Sequence, residues 1–199
     1  IIDADGLGGL TVRKLSARLG VTAMAIYRHF RNKADIEHEL VDLVVGDYDV
    51  TNHDEKDWME WVHATYAKMR HALCTHPGVM PLLDNASYQG GNALSVMDRV
   101  LAELRRAGLD DAQAARLFHT LMAYMIGTVV LTNEDARRAI AAGRGAAVRS
   151  DRSRKLSIET ISLSPYPNIA GVAPYLAGVD YERQFRNSVM QIIRAATAG

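Results

Sequence analysis

The segment spanning residues 11–33, TVRKLSARLGVTAMAIYRHFRNK, constrains the fold more than any other part of the chain. Leu15 and Leu19 lie four residues apart in its first half, which predicts a short helix with one apolar stripe. Ile26 and Phe30 repeat that spacing in its second half. A short glycine-containing turn separates the two halves, as in the two helices of a helix-turn-helix. The segment therefore predicts a helix-turn-helix unit.

All the charge in this segment is positive. The whole chain has 23 basic and 23 acidic residues and a net charge of zero, so the basic character is local. Two short helices this basic suit the phosphate backbone of double-stranded DNA, with the second helix in the major groove. The segment contains no acid and six basic residues, namely Arg13, Lys14, Arg18, Arg28, Arg31 and Lys33.

The segment resembles the DNA-binding part of the tetracycline-repressor (TetR) family. The first matching piece is the T-x-R-K-L-x-x-x-L-G-V stretch from Thr11 to Val21. The second is the YRHF end of the recognition helix at 27–30, followed by Asn32-Lys33 and an acidic amphipathic helix. A generic two-helix corner with a solvated basic face is the alternative. It does not predict a Tyr-x-His pair directly before an Asn-Lys helix start.

The resemblance implies that this segment binds operator DNA. We expect Arg13, Lys14 and Lys33 to contact phosphates and residues 22–28 to face base edges. Arg28 is the candidate for reading a guanine, because its alanine and methionine neighbours offer only apolar contacts. Tyr27 and His29 match positions at which the family touches the DNA backbone. The predicted DNA-binding residues are Thr11, Arg13, Lys14, Thr22, Ala23, Met24, Ala25, Tyr27, Arg28, His29 and Lys33.

Helical periodicity continues through the rest of the chain, and no period-2 strand pattern of any length appears. We therefore predict an all-α fold with two domains. A three-helix helix-turn-helix domain covers residues 1–48, with a first helix that is short by comparison with the family. A helical effector-binding and dimerisation domain covers residues 49–199, and the polar segment 49–57 forms the boundary. Ile1 and Ile2 are expected to pack on Leu15 and Leu19.

Several local signals predict where the helices begin and end. Asn32 is expected to cap the helix that follows the basic segment, with Asp35 three residues on. The remaining predicted boundaries are Trp58, the His76-Pro77-Gly78 stop, Gly108, Asp110 or Asp111, and Asp180.

The C-terminal half carries looser matches to the same family, at NALSVMD (92–98), GTVVL (127–131) and DYERQF (180–185). The resemblance implies a homodimer in which helices at about 111–130 and 181–197 of each subunit form a four-helix interface. It also implies that helices from about 57 to 130 enclose an effector pocket. The predicted interface residues are Leu121, Val129, Phe185, Val189 and Ile192.

The residues themselves also suggest an apolar pocket. The chain has eight methionines, which are flexible and fit irregular cavities. Tyrosines and a histidine on the same helices, including Tyr124, would add a few polar contacts. The alternative is that these side chains form ordinary core. The predicted pocket residues are Tyr66, Met69, Tyr88, Met97, Leu101, His119, Met122 and Met125.

A site for a magnesium–tetracycline complex is not expected. Tetracycline-binding members of the family place a histidine four residues before the glycine of the central helix, where this chain has Ala123 before Gly127. His63, His71 and His76 are not spaced to put three ligands on one helical face, so we expect surface or hydrogen-bonded histidines. We predict no metal and no cofactor.

A second basic stretch extends from Arg137 to Lys155, with Asp151 as the opposing acid. It is either a further nucleic-acid patch or a solvated loop. Its glycine and serine content favours the loop.

The remaining features limit the function classes. A single cysteine, Cys74, excludes an internal disulfide and suits a reducing cytoplasm. No stretch of 18 apolar residues and no export signal is visible, so we expect a cytoplasmic protein without a membrane partner. No G-x-S-x-G, G-x-G-x-x-G or Walker A motif indicates an enzyme.

The predicted function is a ligand-responsive transcriptional regulator of the repressor type. It would bind a two-fold operator as a homodimer and be released by a small, mainly apolar effector. The alternatives are a helix-turn-helix protein without an effector, an architectural DNA-binding protein and an enzyme.

Overall fold

The computed structural model describes residues 1–46, 57–83, 90–143, 165–177 and 179–197. Within these ranges the chain is helical and has no strand, which confirms the all-α prediction. Residues 1–46, here called the DNA-reading unit, contain α1 (Ile2–Asp5), a 3-10 helix (Leu7–Gly9), α2 (Val12–Leu19), α3 (Ala23–His29) and α4 (Lys33–Gly46).

The described residues from 57 onward are here called the body. They contain α5 (Trp58–Thr75), a 3-10 helix (Pro77–Leu82), α6 (Gly91–Arg106), α7 (Asp111–Thr132), α8 (Glu134–Gly143), α9 (Pro167–Ala177) and α10 (Tyr181–Thr197). The predicted boundary at 49–57 lies outside the described residues except for Asp57, and it stays a prediction. The basic positions from Arg144 to Lys155 also lie outside them.

The helix starts follow the predicted sequence signals. The Asn32 side chain accepts a hydrogen bond from the backbone N–H of Asp35 at 2.9 Å. Asp110 begins α7 with a reciprocal capping box to Gln113, with hydrogen bonds of 2.8 and 2.9 Å. The Asp180 carboxylate accepts from the N–H of Arg183 at 3.1 Å ahead of α10. These caps are local, and each satisfies backbone donors that a helix leaves open.

The core of the body lies around α7. This helix packs against α5, α6 and α10, and α6 also packs against α4 of the DNA-reading unit. Tyr66, Leu104, Leu121 and Phe185 are almost completely buried where these helices meet. One continuous apolar core therefore joins the unit to the body.

By length and composition alone, α7 could cross a membrane. The sequence, which has no run of 18 apolar residues, predicts no such span. Leu117, Leu121, Met125 and Val129 of this helix are buried in the core, and they account for its hydropathy within the folded chain.

The expected packing at the N-terminus is wrong for Leu19, which is 62% exposed. Ile2 is buried, but α1 lies against the 3-10 helix Pro77–Leu82 of the body instead. The approach is close, because a Cβ on Gly78 would come within 2.6 Å of the backbone carbon of Ile2. The first turn of the chain therefore packs against the body, while Asp5 at its end pairs with Lys14 of α2.

Candidate DNA-reading surface and effector cavity

The helix-turn-helix is held by short-range hydrogen bonds. Thr11 accepts from the N–H of Lys14 and Thr22 accepts from the N–H of Ala25, each at 3.2 Å, so a threonine caps both helices. Gly20 ends α2 in the left-handed conformation at φ 68°, which a side chain would strain. The turn therefore fixes the start of α3 relative to α2.

The second helix presents one solvent-facing surface. Ile26 is buried against the unit, whereas Met24 is 68% and Tyr27 51% exposed. Thr22, Ala23, Arg28 and His29 are also exposed, and Ala25 is half-buried. The predicted DNA-binding residues from Thr22 to His29 therefore lie on α3 or at its N-cap. Thr11, Arg13 and Lys14 lie instead at the start of α2, and Lys33 begins α4.

The basic residues divide into two groups. Lys14 Nζ lies 2.6 Å from the carboxylate of Asp5, and Lys33 lies 3.3 Å from Glu37. Arg31 pairs with Asp35 at 2.9 Å, and this pairing holds the pKa of the Asp35 carboxyl below its usual value. No ion pair occurs within the described residues for the remaining three, which are Arg13, Arg18 and Arg28.

This division changes the predicted phosphate contacts. Arg13 is exposed and has no ion pair within the described residues, so it stays a candidate phosphate contact, while Lys14 and Lys33 would have to leave an acidic partner. Arg18 was not singled out by the sequence, although its position in the basic segment was visible. Its exposed guanidinium makes it a further candidate.

A small cavity of about 30 Å³ lies in the body between α5, α6 and α7. Five residues predicted for the pocket line it, namely Tyr66, Met69, Met97, Met122 and Met125. The other lining residues are all apolar: Val45, Leu73, Leu83, Ala93, Val96, Val100, Phe118 and Ile126. Sequence analysis missed Val45, because it belongs to α4, a helix assigned to the DNA-reading unit.

The hydroxyl of Tyr66 is the polar group of this lining. Tyr66 is fully buried, and its hydroxyl donates a hydrogen bond of 3.3 Å to the carbonyl oxygen of Phe118. A buried hydroxyl needs such a partner, because leaving it unpaired costs about 1–3 kcal/mol. The interior of the cavity is otherwise apolar.

Three pocket predictions do not agree with this geometry or fall outside it. His119 is exposed and does not line the cavity, and its Nδ1 lies 2.9 Å from the carbonyl oxygen of Ala115. Leu101 is half-buried and does not line the cavity. Tyr88 lies outside the described residues. Tyr124, named for a polar contact, instead stacks on Phe185 at 5.7 Å.

The residues predicted for the dimer interface are mostly core residues. Leu121, Val129, Phe185 and Val189 are at most 1% exposed within the single chain, and Ile192 is half-buried. Buried side chains leave no surface for a second copy. The exposed side chains of these two helices lie on their outward faces.

A polar cluster between α5 and α10 was not predicted. The buried Arg70 pairs with Glu182 at 2.5 Å, and its guanidinium carbon lies 5.2 Å from the ring centre of Phe185. Burial lowers the pKa of His63, and the nearby Arg186 lowers it further, while Glu60 acts in the opposite direction. No group of three potential metal ligands occurs in the described parts of the chain.

Comparison with known proteins gives two family matches that together span most of the chain. Residues 1–40 match the family "Bacterial regulatory proteins, tetR family", and residues 51–195 match "Tetracyclin repressor-like, C-terminal domain". The chain is 28% identical over 201 residues to an HTH-type transcriptional regulator from Saccharopolyspora erythraea, covering 100% of this chain and 81% of the relative. It is 28% identical to the class A tetracycline repressor from Escherichia coli, covering 74% and 68%.

Solved structures show the same fold. A crystal structure of the TetR family protein ActR from Streptomyces coelicolor, in complex with (S)-DNPA, superposes with a TM-score of 0.76 at 23% identity. It covers 100% of this chain and 92% of ActR. ActR in complex with actinorhodin gives a TM-score of 0.74 at 22% identity, covering 100% and 91%.

Proposed function

This chain belongs to the tetracycline-repressor family of transcriptional regulators, and we propose that it is a repressor that binds a two-fold operator as a homodimer and is released by a small, mainly apolar effector. The observation that carries the proposal is the combination of an exposed, basic α3 with an apolar cavity lined in part by α4. One chain thus contains a surface for DNA, an internal space, and a helix common to both.

The operator would be contacted through α2 and α3. In a helix-turn-helix the second helix enters the major groove, and a dimer reads two half-sites about one helical turn apart, roughly 34–36 Å. Arg13 and Arg18 supply phosphate contacts, and Arg28 reads a base edge. Met24 offers its apolar side chain to the groove.

A second copy would pack on the outward faces of α7 and α10. Small and polar residues follow one another there at helical spacing and are exposed, except for the half-buried Gly127. A Cβ added to Gly127 would meet nothing within 4 Å, so this part of α7 is open to a close approach. The proposed contacts are Ala112, Arg116, His119, Ala123 and Gly127 on α7, and Gln184, Asn187, Gln191 and Ala195 on α10.

The effector would enter the cavity around Tyr66. Typical ligand pockets are about 300–1,000 Å³, so a cavity of about 30 Å³ has to widen before it holds such a molecule. Four methionines line it, and their unbranched side chains repack at low cost. The lining selects an apolar molecule with one hydrogen-bonding group near Tyr66. The relative ActR is described in complex with actinorhodin, which is consistent with small-molecule control in proteins of this fold.

Release from DNA would follow from a shift of α4. Val45 of this helix lines the cavity, and α4 begins three residues after Phe30, directly beyond α3. An effector that widens the cavity moves α4 and changes the spacing of the two recognition helices. A tenfold loss of operator affinity needs about 1.4 kcal/mol of difference in effector affinity between the two states.

Selection of bound duplexes from a random pool tests the DNA part of the proposal. We expect a two-fold consensus, and the complex should contain two chains by light scattering. Enrichment of no sequence would contradict operator recognition.

A panel of apolar compounds, each titrated into the complex of the protein with the selected duplex, then tests effector control. If compounds bind the protein and none alters operator affinity, the chain is a DNA-binding regulator without an effector.

A further inference from the structure

Two helices of the body lack a cap of their own at their N-terminal ends. The residue before α6 is Gly90, which has no side chain to accept a hydrogen bond. The residue before the 3-10 helix Pro77–Leu82 is His76, and its side chain makes no cap hydrogen bond either. The first N–H groups of a helix need an acceptor, so the partner has to come from elsewhere.

The DNA-reading unit supplies the acceptor in both cases. The Asp42 carboxylate of α4 accepts from the backbone N–H of Ala93 at 2.9 Å and of Asn92 at 3.2 Å. The Asp3 carboxylate of α1 accepts from the N–H of Gly78 at 2.9 Å, and its other oxygen lies 2.9 Å from His76 Nδ1. Each carboxylate lies at least 50 residues away in sequence from the backbone amides it binds.

Asp42 is held tightly in this position. It is 8% exposed, and a Cβ added to Gly90 would come within 1.9 Å of its carboxylate oxygen. Next to it, a Cβ on Gly46 would come within 2.3 Å of the Asn92 side chain. The absence of side chains at both glycines is what lets α4 approach the start of α6. The buried negative charge also lies at the positive end of the α6 dipole, which favours it.

The capped helices lead directly into the cavity. Ala93, whose N–H is bound by Asp42, lines the cavity, as do Val96 and Met97 in the next turn of α6. Leu83, directly after the other capped helix, also lines it. A molecule in the cavity that displaces α6 therefore first changes the hydrogen bonds between Asp42 and the amides of Asn92 and Ala93.

We propose that Asp42 and Asp3 are positioning residues that hold the DNA-reading unit in a fixed orientation on the body, with Asp42 as the joint between the cavity helix α6 and α4. They act through backbone hydrogen bonds and touch neither DNA nor effector. Their effect on DNA binding rests on the proposed function, because only a dimer that reads two half-sites depends on the orientation of each unit. Their effect on the packing of α4 against α6 does not depend on the proposed function.

Two adjacent glycines give matched variants for the test. Gly90→Ala pushes a methyl group into the Asp42 carboxylate, whereas Gly91→Ala places it in open space. We expect Gly90→Ala and Asp42→Ala to speed hydrogen exchange at the Asn92 and Ala93 amides and along Lys33–Gly46. Gly91→Ala should leave exchange at these amides close to that of the parent. Gly90→Ala also covers the case in which Asp42→Ala does not fold.

DNA binding gives the second readout, with fluorescently labelled duplexes obtained by the selection described above. For Asp42→Ala and Gly90→Ala we expect affinity for the two-half-site duplex to fall about tenfold, the factor that corresponds to 1.4 kcal/mol. Affinity for a duplex with one half-site should not change, since α2 and α3 are intact. Asp3→Asn should act in the same direction through Gly78.

The outcomes separate this proposal from the proposed function. Equal affinity ratios for the two duplexes in the parent and in Gly90→Ala would overturn the role of the carboxylate. The same conclusion follows if the Asn92 and Ala93 amides exchange hydrogen at the same rate in Gly90→Ala and Gly91→Ala. If the parent protein shows no preference for two half-sites, the proposed function fails. In that case hydrogen exchange along α4 still tests whether Asp42 holds α4 on α6. Faster exchange in Asp42→Ala supports this role, and unchanged exchange rejects it.

Discussion

At the scale of single residues, pairing with an acidic neighbour distinguishes the exposed basic side chains of the helix-turn-helix. Arg28 is exposed at the last turn of α3 and has no acidic partner in the described part of the chain. Arg31, three residues on, is held by Asp35 through two side-chain hydrogen bonds of 2.9 and 3.2 Å. Two arginines of one short segment are therefore expected to differ in their contribution to DNA binding.

Arg28→Ala should lower operator affinity by about 1–3 kcal/mol and relax the base preference at one position, as expected for a lost bidentate contact. Arg31→Ala is the control. It should lower operator affinity by less and leave the preferred base at every operator position unchanged. Anisotropy titrations against the selected duplex and its single-base variants measure both effects. A uniform loss on every sequence would make Arg28 a phosphate contact.

The pKa of His63 predicts how stability depends on pH. Burial is the main cause that lowers this pKa, so the folded protein favours the neutral ring, while the unfolded chain binds a proton near the ordinary value of about 6.5. The unfolded state therefore holds more protons below neutral pH. The stabilising contribution of the neutral ring is complete above about pH 6.5 and is lost as the pH falls toward the folded pKa.

His63→Gln should accordingly reduce the difference between the free energies of unfolding at pH 7 and pH 5. The exposed His71, also on α5, provides the control variant His71→Gln. Urea titrations at the two pH values give the measurement. If the difference is the same in the parent and in His63→Gln, the burial of this ring has no role in acid sensitivity.

At the scale of helices, each of the two proposed interface helices has an inner and an outer face with separate roles. Phe185 and Val189 of α10 form core with α5 and α7, and their neighbours Gln184 and Asn187 face solvent. A substitution on the inner face tests folding. Only a substitution on the outer face tests assembly.

Ala123→Glu, on the exposed face of α7, should yield monomers, because two copies of the new charge would face each other across the two-fold axis. Operator affinity should fall sharply with it. Ala102→Glu places the same charge on the exposed face of α6 and serves as the control. Light scattering gives the mass of each variant. A dimer of unchanged stability in Ala123→Glu would reject the proposed interface.

At the scale of the whole molecule, the cavity and the DNA-reading surface are connected by a short path of packed elements. Met122 of α7 faces the cavity, Val45 of α4 closes it on the side of the DNA-reading unit, and α4 leads back to α3. Under the proposed function, a cavity of about 30 Å³ has to widen to hold an effector, and that widening moves α4.

Met122→Trp should fill the cavity with its own indole, so that effectors no longer release the protein while operator binding is retained. Leu94→Trp provides a control, since Leu94 is 48% exposed on α6 and does not line the cavity. Titration of the compound panel into the protein–duplex complex measures release. Release of the Met122→Trp protein at parental concentrations would place the effector elsewhere.

The sequence by itself predicted the features that depend on residues within about four positions of each other. The Asn32 and Asp180 caps, the glycine-containing turn between α2 and α3, and a start of α7 at Asp110 or Asp111 are all of this kind. Helical spacing also predicted the helix-turn-helix and the helical body, and the family resemblance then implied operator binding, a homodimer and an effector pocket. Four methionines and a tyrosine were correctly placed at the cavity, because helical spacing indicates one inward face.

The tertiary structure decided everything that depends on which helix lies opposite. The family resemblance implied that Phe185 and Val189 lie in an interface, and spacing cannot distinguish a side chain buried in its own core from one that faces a second copy. It also cannot show that Lys14 reaches Asp5, that Val45 borders the cavity, or that Asp42 caps a helix 50 residues away. Such contacts form between surfaces that only the packed chain brings together, and no local pattern in the sequence records them.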